Sequence, residues 1–166
     1  MTWSQDWITP KSLVDMLGPF DLDPCACRTQ PWPTANRMIR PPEDGLSLPW
    51  RGLIWLNPPY GGFAQRWLRK LAYHDDGGVA LLFARTGSPW FQDLVFGTAM
   101  AVVFLAGRIY FHRPDGSRAP HNSGGDLVLV AYGIEATERI KRVKGFYMKL
   151  DRIIADAPLL AQREGA

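Results

Sequence analysis

The chain has 166 residues, enough for one compact domain. Its 46% hydrophobic and 21% charged content is that of a globular protein and argues against a disordered one. A formal net charge of +3 favours an anionic partner but falls far short of a histone-like or ribosomal composition.

The first predicted helix starts at Thr9, with Thr9 as its cap and Pro10 in the first helical position. Leu13, Val14, Met16 and Leu17 supply its apolar contacts, and Gly18-Pro19 stops it. Phe20–Asp23 reads as a short strand ending at Pro24. From Cys25 to Pro49 the chain is rich in Pro, Arg, Asn and Thr and has no clear period. So long a loop in a small domain is a binding element or a degenerate part of the fold. Cys25 and Cys27 lack the C-x-x-C spacing of metal and redox sites. They read as reduced thiols of a cytoplasmic protein. No basic-then-apolar leader is visible, and no apolar run reaches the roughly 18 residues of a membrane span.

Gly52–Leu56 is a continuous apolar run, as in a strand buried on both faces, and it ends at Asn57-Pro58-Pro59-Tyr60. Phe63–Tyr73 has helical spacing, with Phe63, Trp67, Leu68 and Leu71 on one face and Arg66, Arg69 and Lys70 off it. Gly78–Phe83 is a further buried strand. Ser88-Pro89 opens a short helix through Val95, with Ser88 as its cap. Ala101–Leu105 is a third buried strand, and Arg108–Phe111 reads as an edge extension. After the polar loop His112–Gly125, Asp126–Tyr132 is the last apolar strand. A C-terminal helix is predicted over about 135–158, with Ile140, Val143, Phe146, Tyr147 and Leu150 packed inward and Arg139, Lys141, Arg142, Lys144 and Lys149 solvated. Residues 160–166 are expected to fray. The whole, 1–166, reads as one domain without a separate target-recognition domain. Alternating buried strands and helices imply an α/β fold with a mostly parallel sheet and helices on both faces. Ligands bind beyond the carboxyl ends of such strands, which puts Asp23, Asn57 and Arg85 on one rim.

The sharpest chemical signal is Asn57-Pro58-Pro59-Tyr60. An aromatic exocyclic amine is a poor nucleophile because its lone pair is delocalised into the ring. The Asn57 side-chain oxygen and the Pro58 carbonyl can accept its two protons and favour a pyramidal nitrogen. The two prolines stiffen the turn, and Tyr60 can stack on the base. Asp21, Asp23 and Asp44 are either ligand contacts or turn carboxylates. Arg85 and Thr86, after a strand, face either a phosphate or solvent. Arg108, His112, Arg113, Arg118, His121 and Asn122 combine positive charge with hydrogen-bonding groups, as a DNA-facing loop does, or form a solvated loop. His74, His112 and His121 show no metal-ligand spacing, so no metal is expected.

Asn-Pro-Pro-Tyr is the catalytic tetrapeptide of amino-group methyltransferases. In order along the chain stand Trp7-Ile8-Thr9-Pro10, Phe20-Asp21-Leu22-Asp23-Pro24, Glu43-Asp44-Gly45-Leu46, Pro49-Trp50 and Asn57-Pro58-Pro59-Tyr60-Gly61. Ala84-Arg85-Thr86, Trp90-Phe91 and Gly107-Arg108-Ile109 follow. This ordered set resembles the Dam-like phage DNA adenine-N6 methyltransferases. The resemblance implies a Rossmann-like class I methyltransferase fold, shortened in the early cofactor-binding region, and S-adenosyl-L-methionine as cofactor. It assigns Asn57, Pro58, Pro59 and Tyr60 to catalysis, and Trp7, Thr9, Pro10, Asp21, Asp23, Pro24 and Asp44 to the cofactor. Thr9-Pro10 looks like the segment that contacts the methionine part, and Asp44 like the acid that meets the cofactor's adenine. Cys25-Ala26-Cys27 replaces the usual Gly-rich turn, and no ribose-binding acid is recognisable, which leaves Asn36 as a candidate. Trp7 and Trp90 are the tryptophans expected near the site. Arg85, Thr86, Arg108, Arg113, Arg118, His121 and Asn122 are expected to meet double-stranded DNA, in a bacterial or phage-infected cytoplasm. The role would be site-specific methylation, as in restriction-modification, and a homodimer is one way for a small enzyme to grip DNA. The target base must be flipped out of the stack. The alternatives are methylation of RNA adenine or protein glutamine, or a non-catalytic DNA-binding or decoy protein.

Overall fold

The structure, a computed structural model, describes residues 7–151. Seven strands form one sheet: β1 (Leu22–Asp23), β2 (Arg37–Met38), β3 (Ile54–Leu56), β4 (Gly78–Phe83), β5 (Ala101–Leu105), β6 (Leu127–Tyr132) and β7 (Gly145–Lys149). Their order is β2-β1-β3-β4-β6-β5-β7. The helices are α1 (Lys11–Leu17), α2 (Ala64–Ala72), α3 (Pro89–Phe91), which continues as a π-helical turn over Gln92–Phe96, and α4 (Ile134–Ile140).

The continuous apolar runs became the centre of the sheet. Every residue of β3 and β6 is buried, and so is β4 as far as Leu82. Alternation along the strands divides them between two cores. Leu56, Ala80 and Leu82 pack with Trp67, Leu68 and Leu71 of α2 and with Phe91, Leu94 and Val95 of the α3 segment. Trp55, Val79 and Leu81 pack on the opposite face with Val14 and Leu17 of α1 and Ala136 and Ile140 of α4. Helices thus cover both faces. Each fully buried Leu or Val contributes about 1.5–3 kcal/mol.

The sheet is mixed rather than mostly parallel. β2, β1, β3 and β4 run parallel, while β4–β6, β6–β5 and β5–β7 are antiparallel. The physical reason lies after β5. The segment 106–126 forms no crossover helix and returns the chain alongside β5 in the opposite direction. The antiparallel half also holds the longest ladder, six residues from Gly78 opposite Tyr132 to Phe83 opposite Leu127.

Four further expectations are corrected. The C-terminal helix stops at Ile140, and Gly145–Lys149 is a strand on β5. Gly145 lies so close to β5 that a Cβ there would be 2.3 Å from the Phe104 carbonyl, and Phe146-Tyr147 suits a pleated surface. The rest of that helix, from 152 on, and the tail 160–166 lie outside the described residues. Arg108–Phe111 forms no strand; instead His112 pairs with Ile8 and with Arg118 as isolated antiparallel bridges. Thr9 does not cap α1: the position before the helix is Pro10, which has no side-chain donor or acceptor to offer. Ser88 does precede α3, but its hydroxyl donates to the Arg85 carbonyl at 2.7 Å instead of capping.

β2 was hidden inside the unpatterned stretch. Only backbone bonds define it, from the Arg37 and Ile39 N–H groups to the Asp21 and Asp23 carbonyls. The connection from β1 to β2 contains no helix. β1 is joined to β3 by Asp21, whose carboxylate accepts the Leu53 N–H at 2.8 Å. Gly52 makes room for this turn: its φ is +71°, and a Cβ would sit 2.5 Å from the Asp21 carboxylate. Gly52→Ala is therefore expected to destabilise the protein by about 2 kcal/mol in chemical denaturation. An unchanged midpoint would show that this junction tolerates displacement.

Candidate active site

β1 has β2 on one side and β3 on the other, so the direction of winding reverses between β1 and β3. Such a reversal opens a crevice at the carboxyl ends of the strands. A cavity of about 220 Å3 lies here, lined by the residues that follow β1 and β3. It brings together Trp7, Thr9, Asp23, Pro24 and Asp44 with the whole Asn57-Pro58-Pro59-Tyr60 corner.

Asn57 is fixed by three hydrogen bonds. Its side-chain nitrogen donates to the Trp7 carbonyl at 3.0 Å and to the Thr9 hydroxyl at 3.3 Å. A carbonyl only accepts, so the nitrogen must face Trp7 and the oxygen must point the other way. That oxygen accepts the Tyr60 hydroxyl at 3.2 Å and retains capacity for a second donor. The Tyr60 ring is held by Phe83, with centroids 4.6 Å apart, and by Phe111 at 6.1 Å. Burial raises the Tyr60 pKa, so the phenol stays protonated and remains a donor.

Asp23, at the end of β1, is buried in the cavity wall. Its carboxylate accepts the Cys25 N–H at 3.1 Å and the Thr34 hydroxyl. Burial nonetheless pushes its pKa from 3.8 up to about 6, against the pull of these two donors and of the Arg40 charge. A carboxylate so desolvated, beside open space, favours a cationic group there. The Cys25 thiol, itself pushed well up by burial, donates to the Asn57 carbonyl at 3.4 Å and ties the two loops together. Asp44 combines both sequence readings. Its carboxylate accepts the Leu46 N–H at 2.9 Å as a turn residue does, and it also lines the cavity.

Residues unforeseen in the sequence complete the wall. Trp55 and Trp67 both line the cavity, and Trp67 stacks on Trp50. The Lys70 ammonium donates to the Gly45, Leu46 and Leu48 carbonyls at 3.3, 2.7 and 2.6 Å and lies 4.9 Å from the centre of a Trp50 ring. It pins the loop that carries Asp44. Gly45 approaches the Pro24 carbonyl so closely that a Cβ would be 1.9 Å from it. Helical periodicity shows only that Lys70 leaves the main apolar face; nothing local reveals its three carbonyl partners.

Several expected residues lie elsewhere. Asp21 stands at the amino end of β1 and is engaged with Leu53, so it does not line the cavity. Pro10 borders a separate shallow groove along α1, and Asn36 another beside Pro19 and Phe20. Trp90 packs on Phe91, towards the α2–α3 core. Arg85 and Thr86 are exposed. Arg85 is one ring removed from the cavity, since its guanidinium lies 5.9 Å from the Phe83 ring that supports Tyr60. Arg108, Arg113, Arg118, His121 and Asn122 are exposed on the loop after β5. Arg108 is 3.5 Å from Asp126, Arg118 lies 3.7 Å over the Tyr110 ring, and Asn122 accepts the Gly124 N–H. Among the described residues no group of three His, Cys, Asp or Glu side chains could hold a metal ion. No helix among them is long and apolar enough to cross a membrane.

The Asp23 shift fixes a pH dependence. The folded state holds this proton more tightly than the unfolded chain, so its contribution to stability is fully present below 3.8 and is lost as pH rises through about 6. Relative to Asp23→Asn, the wild type is expected to lose roughly 2.5 kcal/mol between pH 4 and pH 7. Parallel urea titrations at the two pH values measure this, and matching slopes for the two proteins would refute it.

Comparison with curated proteins and with solved structures gives no match. A family model described as DNA N-6-adenine-methyltransferase (Dam) matches residues 2–144, a span that includes every cavity residue named above. By that match over most of its length, the chain belongs to the DNA N-6-adenine-methyltransferase (Dam) family.

Proposed function

We propose that the protein transfers a methyl group from S-adenosyl-L-methionine to the N6 amine of adenine in double-stranded DNA. The observation that carries this reading is the locked Asn57 amide, its oxygen turned towards Tyr60, in one cavity with the buried Asp23 carboxylate. Family membership supplies the reaction class.

The cavity suits the cofactor on its own chemistry. Asp23 favours a cationic end, Thr9 offers a hydroxyl, and Trp55, Trp67 and Asp44 offer ring faces and an acceptor for a heterocycle. Trp7 and Pro24 would complete the contacts. When bound, S-adenosylmethionine supplies an electrophilic methyl group. The switch point between β1 and β3 supports a Rossmann-like class I methyltransferase reading, with the helix-free connection from β1 to β2 as its shortening.

The protein's own task is positioning. The Asn57 oxygen accepts one proton of the adenine amine and the Pro58 carbonyl accepts the other, which draws the lone pair out of conjugation. Pro58 and Pro59 restrict the corner, so little reorganisation is needed. Tyr60, braced by Phe83 and Phe111, gives the base a ring to stack on. Methylation makes the amine proton strongly acidic, so water can take it without a dedicated base. Adenine reaches this corner only after leaving the duplex, at a cost of about a few kcal/mol offset by stacking and phosphate contacts. Arg85, Thr86, Arg108, Arg113, Arg118, His121 and Asn122 are exposed where they can meet the backbone and neighbouring bases.

Three outcomes test the proposal. Isotopically labelled methyl transfer, offered to DNA, RNA and protein in parallel, is expected to label DNA at adenine; label in RNA or protein alone would overturn the acceptor. Asn57→Ala should keep calorimetric binding of S-adenosylhomocysteine and lose about 100-fold or more in kcat. Binding of that ligand, through its ammonium group, should weaken as pH falls through about 6 and Asp23 is neutralised, whereas Asp23→Asn should bind weakly throughout.

A further inference from the structure

The tie between Asn57 and Thr9 spans 48 positions of sequence and joins the corner after β3 to the segment before α1. Thr9 is a buried polar residue, 2% exposed, and it lines the cavity. A buried hydroxyl needs partners for both its oxygen and its proton. Its oxygen accepts from the Asn57 amide. Among the described residues no side-chain or backbone acceptor engages the Thr9 proton, and Thr9 borders the cavity, where an occupant's acceptor would be within its reach. The backbone around Thr9 cannot drift to compensate. The Ile8 N–H and carbonyl pair with His112 at 3.0 and 2.8 Å, and the Trp32 indole donates to the Thr9 carbonyl at 3.1 Å. The adjacent Trp7 carbonyl holds the other donor of Asn57.

We propose that Thr9 is a positioning residue: its hydroxyl accepts from the Asn57 amide and donates to the occupant of the cavity, so that occupancy strengthens an existing hold on Asn57 for the acceptor amine. The inference rests on the methyltransferase reading. It replaces the local role of Thr9 as a helix cap with a tertiary one. A hydroxyl that donates to an acceptor is a better acceptor in turn, because linked hydrogen bonds polarise one another. A filled cavity therefore tightens the hold on Asn57, while an empty one leaves the Trp7 carbonyl as its firmer tether. The corner, already formed in the protein alone, is then held more tightly when the methyl donor is in place.

The direct measurement is NMR of the Asn57 side-chain amide in 15N-labelled full-length protein, with and without saturating S-adenosylhomocysteine. The expected result is a ligand-dependent shift of the Asn57 NH2 resonances and slower exchange of their protons. Thr9→Val, which keeps shape and removes the hydroxyl, should abolish most of that response and lower kcat by about tenfold to 100-fold with KM for DNA unchanged. It should weaken S-adenosylhomocysteine by about tenfold or less, as loss of one hydrogen bond does. Thr9→Ser, which restores the hydroxyl, should recover both the NMR response and kcat. Ligand binding with unmoved Asn57 resonances in the wild type overturns the coupling alone, whether or not Thr9→Val folds. Wild-type kcat in a folded Thr9→Val does the same. Absence of ligand binding in the wild type overturns the methyltransferase reading and the coupling with it.

Discussion

The amide of Asn57 is held from two directions, and most of the site follows from that arrangement. Its nitrogen is bound by the Trp7–Thr9 segment, its oxygen by Tyr60, and its backbone carbonyl by the Cys25 thiol. Two distant stretches of chain, Trp7–Thr9 and Cys25, thus converge on one residue of the proline corner. An asparagine on a free loop samples rotamers and both amide orientations; here a carbonyl acceptor excludes one orientation outright. Pro58 and Pro59 remove backbone freedom on the following side. The outcome is an acceptor oxygen set in place before any substrate arrives, and preorganisation of this kind is the largest lever a protein has over a reaction whose electrophile is already supplied.

Asp23 complements it by being poorly satisfied. Two hydrogen bonds and a nearby arginine do not offset its burial, and its carboxyl remains well above the ordinary range. A fold selected only for stability would replace such a group or give it a closer cation. It stands at the switch point of the sheet, 4% exposed and lining a cavity, where burial disfavours the charged form of its carboxyl. The Lys70 clamp and the close contact of Gly45 with Pro24 then keep the opposite wall at a fixed distance.

Much of this was legible in the residues, and the failures have physical causes. β3, β4, β5 and β6 announce themselves as continuous apolar runs because both faces of each are covered. β1 and β2 have two residues each and are defined by backbone bonds, which leave no side-chain pattern. β7 carries apolar residues that fit either period, and pairing with the open side of β5 decided between them. Of the residues singled out from the sequence, Asp23, Asp44 and the proline corner line the cavity. Asp21 lies outside the cavity, since two residues along a strand is about 7 Å, and its carboxylate engages Leu53 instead. Thr9 and Pro10 formed a persuasive local helix start, yet a distant amide engages the threonine. Of the two tryptophans expected near the site, Trp7 lines the cavity and Trp90 packs on Phe91, while Trp55 and Trp67 reach the cavity from a buried strand and a helix, which no local motif signals.

The pairing of β4 with β6 also bears on how the molecule comes into being. β4 is complete at Phe83, but its antiparallel neighbour does not begin until Leu127. During synthesis the strand Gly78-Val79-Ala80-Leu81-Leu82-Phe83 therefore waits with one ladder of amides and carbonyls open while more than forty further residues emerge. Uncharged, apolar and without proline, it has the character of a segment that pairs promiscuously. Long-range closure of this type is slow compared with helix formation. Where the chain places its central strands thus sets an interval in which this edge stays open to other partners, the kind of exposure that favours association during folding.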